Sequence, residues 1–139
     1  MYTHSTQIRI HYALTDQMGV VYYGNYAQFF EIARTEAIRQ LGFTYKALEA
    51  MGVMMPVSDM HIHYRKPIRY DELITVSVTV KEWPIGKKIT FHGEIHNEAG
   101  ERCTMSDITL YFVDAKTMRP IQMPDALVTV LQPFFENAD

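Results

Sequence analysis

The hydrophobic period of this chain changes once, and the change restricts the folds open to it. Between Tyr26 and Leu41, the residues Tyr26, Phe29, Phe30, Ala33, Ala37, Ile38 and Leu41 recur at helical spacing. They form one apolar stripe, broken only by Arg34. Gly42 stands just past its end, where a left-handed residue closes a helix. From Val53 onward the period is two. Ile74, Val76, Val78 and Val80 alternate with Thr75, Ser77 and Thr79, and Ile89, Phe91, Gly93 and Ile95 repeat the pattern. A long helix followed by a strand-turn-strand series predicts an α+β fold, in which one sheet face is buried against the helix.

Smaller elements fill in around these. Residues 6–12 read as a first strand, with Ile8, Ile10 and Tyr12 alternating with Arg9 and His11, and His11 facing solvent or a neighbouring strand. A short helix is expected over 44–51, with Thr44 as its N-cap and Gly52 as its stop. Tyr45, Leu48 and Met51 form its buried edge. Met60, Ile62 and Tyr64 alternate with His61 and His63, and Pro67 marks a strand end or sheet edge. Further strands are expected over 72–82, 87–96 and 102–113, with turns at 83–86 and 97–100. The segment 114–124 reads as a loop, and Asp125 caps a short helix through Leu131.

At 139 residues the expectation is a single domain spanning 1–139. The net charge of −3 argues against a general nucleic-acid binder, which needs a basic face. One cysteine, Cys103, rules out an intramolecular disulfide and reads as a buried, inert thiol. His61 and His63, without a third ligand in view, read as exposed strand residues, so no metal site is expected. No signal peptide and no membrane insertion are expected, which makes a cytoplasmic location the default.

The chemistry points to the stretch before the long helix. Asp16 lies in a loop rich in turn formers, ten residues ahead of the helical run. A helix N-terminus carries unpaired N–H groups and partial positive charge, so an acid beside it is a candidate catalytic site. The same acid is also readable as a helix cap. Gly24 lets backbone approach a ligand closely, and Asn25 is either a cap or a substrate contact. Glu31 is a second candidate acid, or else a structural partner for Arg34 at i+3. Lys87 and Lys88, after the Gly86 turn, are candidate phosphate contacts or a solvated turn, with Arg65 and Lys66 as another basic patch. Met51, Met54 and Met55 are candidates for an apolar pocket.

These residues resemble a known family. The stretch Asp16-Gln-Met-Gly-Val-Val-Tyr-Tyr-Gly-Asn-Tyr26 and the following Phe30-Glu-Ile-Ala-Arg34 are similar to the hotdog-fold acyl-CoA thioesterases of the 4-hydroxybenzoyl-CoA and Tol–Pal-associated type. So are Tyr64-Arg-Lys-Pro-Ile-Arg-Tyr-Asp-Glu-Leu73 and Glu82-Trp83 leading to Gly86-Lys-Lys88. The likeness runs from about Ile8 to Val130. It implies a curved antiparallel sheet of about five strands wrapped around one long helix. It also implies hydrolysis of an acyl-CoA thioester without metal or cofactor, CoA being part of the substrate. The family's essential carboxylate falls on Asp16, and its carbonyl-polarising backbone N–H falls on Tyr23. Members form homodimers, often paired into tetramers, with the active site at the subunit boundary. Two departures stand out. Leu14 replaces the first acid of the usual Tyr-x-Asp-Thr-Asp. Tyr23 stands where Tol–Pal-associated members carry His, which casts doubt on any mechanism needing that histidine as an acid–base group.

Overall fold

The computed structural model describes residues 1–136. The chain opens with β1 (Tyr2–Arg9). It passes through a loop into the long helix α1 (Tyr26–Gln40) and the short α2 (Tyr45–Ala50). Then come β2 (Val53–Met54), β3 (Val57–Tyr64), β4 (Leu73–Val80), β5 (Lys88–His96), β6 (Arg102–Tyr111), β7 (Val113–Asp114) and α3 (Asp125–Leu131). Five strands form one antiparallel sheet in the order β1-β4-β5-β6-β3, and β2 pairs with β7 separately. The expected meander is therefore β4-β5-β6, with the first strand added at one edge and β3 at the other.

α1 packs mainly on β1 and β4. Its predicted stripe is buried as expected: Phe29, Phe30, Ala33 and Ala37 are at most 1% exposed. Tyr26 and Ile38 are buried with them, while Leu41 is partly exposed. From the sheet, Ile74, Val76, Ile95, Ile108 and Leu110 meet this stripe in one hydrophobic core. Truncating a core Phe of this kind costs roughly 3–5 kcal/mol. Gly42 adopts φ +101° at the helix end, as the sequence requires.

Several boundaries differ from expectation. The first strand begins at Tyr2 and ends at Arg9, because its limits follow its pairing with β4, Tyr2 opposite Val80 and Arg9 opposite Leu73. Tyr12 leaves the sheet for a 3₁₀ turn and is exposed. Met51 is exposed too, so Leu48 and the partly buried Tyr45 carry the inner edge of α2. Thr44 caps that helix as predicted, its Oγ1 accepting the Ala47 N–H at 2.9 Å. Asp125 lies in the first turn of α3 and makes no capping bond; Pro124 holds the N-cap position. On the sheet face away from α1, cross-strand hydroxyl pairs join Thr3 to Thr79 at 2.9 Å and Ser5 to Ser77 at 2.8 Å.

Candidate active site

The loop between β1 and α1 is built by its own hydrogen bonds. After a 3₁₀ turn at Tyr12–Leu14 the chain folds back as a tight hairpin, with Thr15 bridged to Val21. The Asp16 N–H donates to the Val20 carbonyl at 2.9 Å, and the Gly19 N–H donates to the Asp16 carbonyl at 3.0 Å. Gly19 sits at φ +78°, a conformation that suits glycine. Asp16 Oδ1 accepts the Met18 N–H at 2.8 Å, an Asx turn that orients the carboxylate locally.

This arrangement removes one of the two readings of Asp16. Its bonded oxygen serves residue 18, not the first turn of α1, so Asp16 is not the helix cap. Asn25 occupies the N-cap position, yet its side chain makes no capping bond. Its Nδ2 instead donates to the Leu14 carbonyl at 2.9 Å. The same carbonyl accepts the Tyr22 N–H at 2.9 Å. Leu14 thus pins the acid-bearing loop to the helix entry through backbone, while its side chain packs against the core.

Tyr23 and Gly24 lie one step ahead of the expected position. They form a 3₁₀ turn, Tyr23–Asn25, that runs into α1 at Tyr26. The first N–H groups of such a turn have no partner inside it and are free to meet an acceptor. The Tyr23 ring is 66% exposed and lies against the Tyr22 ring, centroids 4.6 Å apart. Its peptide, not its phenol, is the part built into the structure. The Tyr23 carbonyl accepts the Tyr26 N–H and, at 3.2 Å, the Tyr64 hydroxyl from the end of β3.

Glu31 is exposed on α1 and does not pair with Arg34, contrary to one of its expected roles. The i,i+3 ion pair of this helix is Glu36 with Arg39. Arg34 is 5% exposed, and its Nε donates to the Tyr45 hydroxyl at 3.1 Å. Burial pushes the Tyr45 phenol up, and the Arg34 charge opposes that shift. Glu31, Arg34, Tyr45, Met54 and Met55 line a cleft of about 380 Å³. Met51 does not contribute to it.

Lys87 and Lys88 stand exposed where β5 begins. Lys88 shares a cleft with Trp83, Pro84 and Ile85. Lys66, from the alternative basic patch, is ion-paired with Glu101. Cys103 is fully buried, and desolvation raises its thiol pKa, which fits an inert group. His61 and His63 are exposed, their Nε2 atoms 2.8 Å apart. Among the described residues no group of three or more His, Cys, Asp or Glu is arranged to hold a metal. No helix of the described residues is long and apolar enough to cross a membrane.

Three links escaped the sequence: the Leu14 clamp, the Arg34–Tyr45 bond and the reach of Tyr64 to Tyr23. Only the last had a signal. The period of two puts Tyr64 on the same strand face as Met60 and Ile62.

A five-stranded antiparallel sheet laid against one long helix, with an acid loop pinned to the helix entry, defines the hotdog architecture of thioesterases. The chain belongs to the thioesterase-like superfamily, whose family model matches residues 10–131. It is 37% identical over 126 residues to YneP of Bacillus subtilis, covering 91% of each chain. It is 31% identical over 121 residues to the acyl-CoA thioester hydrolase YbgC of Escherichia coli, covering 87% of this chain and 90% of that one. Among solved structures, a DHNA-CoA thioesterase from Staphylococcus aureus superposes with a TM-score of 0.85 at 36% identity. That match covers 96% of this chain and 95% of the other.

Proposed function

We propose that this protein is an acyl-CoA thioesterase, hydrolysing a fatty-acyl or aryl-CoA thioester to the free acid and CoA. The observation that carries the reading is the placement of Asp16. A carboxylate that is not a cap is oriented by its own turn and tied, through Leu14, to a turn that presents free N–H groups. Mere acyl binding needs no acid there. The name of the Escherichia coli relative, an acyl-CoA thioester hydrolase, supports the same activity.

In this mechanism the thioester oxygen sits against the Tyr23 N–H, with Gly24 N–H beside it. Asp16 either takes a proton from water as that water attacks the acyl carbon, or attacks it directly to give a mixed anhydride that water then opens. Both routes place negative charge on the carbonyl oxygen, where the N–H donors and the helix end stabilise it. Collapse of that adduct breaks the C–S bond, in the second route before water opens the anhydride, and CoA leaves as a thiolate that gains a proton. Glu31 and Arg34, with Met54 and Met55, border the space assigned to the acyl group. Lys87 and Lys88 meet the phosphates of CoA. No metal or cofactor takes part.

The working unit in this reading is a homodimer with the site at the subunit boundary. Support comes from β3, an edge strand on which Val57, Met60 and Tyr64 are 41%, 43% and 51% exposed. Its apolar side chains await a cover. Two such dimers join as a tetramer through the hydroxyl-lined outer sheet face.

The test is a panel of acetyl-, butyryl-, octanoyl-, palmitoyl- and benzoyl-CoA, followed by thiol release. At least one member is turned over, and Asp16→Ala lowers that rate by three orders of magnitude or more. A folded protein inert towards every member sinks the proposal. Tight acyl-CoA binding without turnover, unchanged by Asp16→Asn, would mark a binding module instead.

A further inference from the structure

We propose that Tyr64 is a positioning residue: its hydroxyl holds and polarises the Tyr23–Gly24 peptide, keeping the Gly24 N–H aimed at the bound thioester oxygen. The inference rests on the reading of the helix entry as the oxyanion site. It adds a residue from a different element, 41 positions away.

Tyr64 ends β3, opposite Thr104 of β6 in the sheet register. Its ring stands edge-on to that of Tyr26, centroids 4.9 Å apart and planes at 88°. Tyr26 is itself buried at 4% exposure, so it gives the Tyr64 ring a fixed wall. From there the Tyr64 hydroxyl donates to the Tyr23 carbonyl at 3.2 Å. A tyrosine 51% exposed has water within reach and needs no protein acceptor. The bond therefore calls for an explanation at the acceptor end.

That end is one face of the peptide in question. A trans peptide is planar, and its C=O and N–H point in opposite directions. Fixing the Tyr23 oxygen therefore fixes the direction of the Gly24 hydrogen. The Tyr23 oxygen also accepts the Tyr26 N–H, so two donors hold the plane against rotation. Each donor draws electron density towards the oxygen and leaves the Gly24 N–H a stronger donor, the cooperative strengthening expected of linked hydrogen bonds. Charge developing on a thioester oxygen meets a dipole that is already oriented, and no reorganisation is needed at that moment.

The variant Tyr64→Phe keeps the ring against Tyr26 and removes only the hydroxyl. Its kinetics are measured on the full chain with whichever member of the acyl-CoA panel is turned over fastest. Removing an oxyanion donor outright costs about a hundredfold or more in kcat. Loosening one costs less, and a fall of about tenfold is expected with KM changed less than about twofold. A second readout is the carbonyl stretch of the same acyl-CoA, isotopically labelled at the thioester carbon and bound to the slow Asp16→Asn protein. Binding moves that stretch to lower frequency, and adding Tyr64→Phe returns part of the shift. The thermal midpoint and elution volume report whether the variant remains folded and assembled.

An active wild type with an unaffected Tyr64→Phe variant overturns the proposal and leaves the thioesterase reading standing. So does a variant whose KM rises while its carbonyl stretch stays put, since that is a role in packing or assembly. A wild type inert towards the whole panel overturns both readings together.

Discussion

Two glycines of similar crowding have opposite consequences, and the difference lies in what surrounds each. A Cβ on Gly93 would lie 2.5 Å from Ser106 Oγ and 2.6 Å from the Phe30 ring, both inside the core. Neither neighbour has room to move, so Gly93→Ala is expected to destabilise by about 1–3 kcal/mol. Urea midpoints of the two proteins check this. A Cβ on Gly24 would meet the Tyr22 ring at 2.5 Å, but that ring is 45% exposed and free to swing. Gly24→Ala should keep stability within about 0.5 kcal/mol, while the added methyl and displaced ring crowd the N–H groups of the turn. Its turnover should fall on the order of a hundredfold; turnover near wild type would argue against a thioester seated there. Sequence found these glycines but not their neighbours. It found Asp16 as well, yet could not separate an Asx turn from a helix cap, because the two favour the same residue types for the same bond.

At the scale of elements, periodicity was informative wherever one face was buried. α1 and β4 to β6 lie within a residue or two of where the pattern puts them. Residues 2–7 carry almost no alternation, so only the end of β1 was legible, and its start follows from its pairing with β4. The same holds for β2 and β7, two residues each, which exist because they pair with one another. Short elements rely on local bonds, and these are testable singly. Thr44→Ala removes the cap of α2 and should cost about 1 kcal/mol, read from the unfolding midpoint. At the end of β7, Asp114 accepts the Lys116 and Thr117 N–H groups at 2.8 and 2.9 Å. These bonds favour the carboxylate, led by the one from Thr117, and hold its pKa below the ordinary 3.8. A depressed folded pKa means its contribution is complete above 3.8 and fades as pH falls from there through the folded value. Asp114→Asn should therefore lower the midpoint above about pH 4 and converge on wild type as pH falls below it; a deficit that persists unchanged at low pH would point to lost packing instead.

For the molecule as a whole, the sheet has one edge that sequence marked and structure leaves open. Pro67 signalled an edge near β3, and the strand does lie at one end of the sheet order. What the sequence did not show is that Met60 and Tyr64, apolar by pattern, remain exposed within one chain. An isolated edge strand bearing such side chains invites pairing with another chain, unless it is charged or covered. Tyr64 makes this edge part of the site, because its hydroxyl bonds the Tyr23 carbonyl at the helix entry. Assembly and activity should therefore fail together. Met60→Lys places a charge at an exposed residue of β3, where a single copy loses little: most surface substitutions lie within about 0.5 kcal/mol. A pairing strand in a second copy would have to bury that charge. Sedimentation should show wild type as a dimer or tetramer and Met60→Lys as a folded monomer. The turnover of the variant should fall at least tenfold and recover partly at high protein concentration, where mass action restores the pair. A Met60→Lys monomer with full turnover would place the whole active site within one chain and remove the subunit boundary from the mechanism.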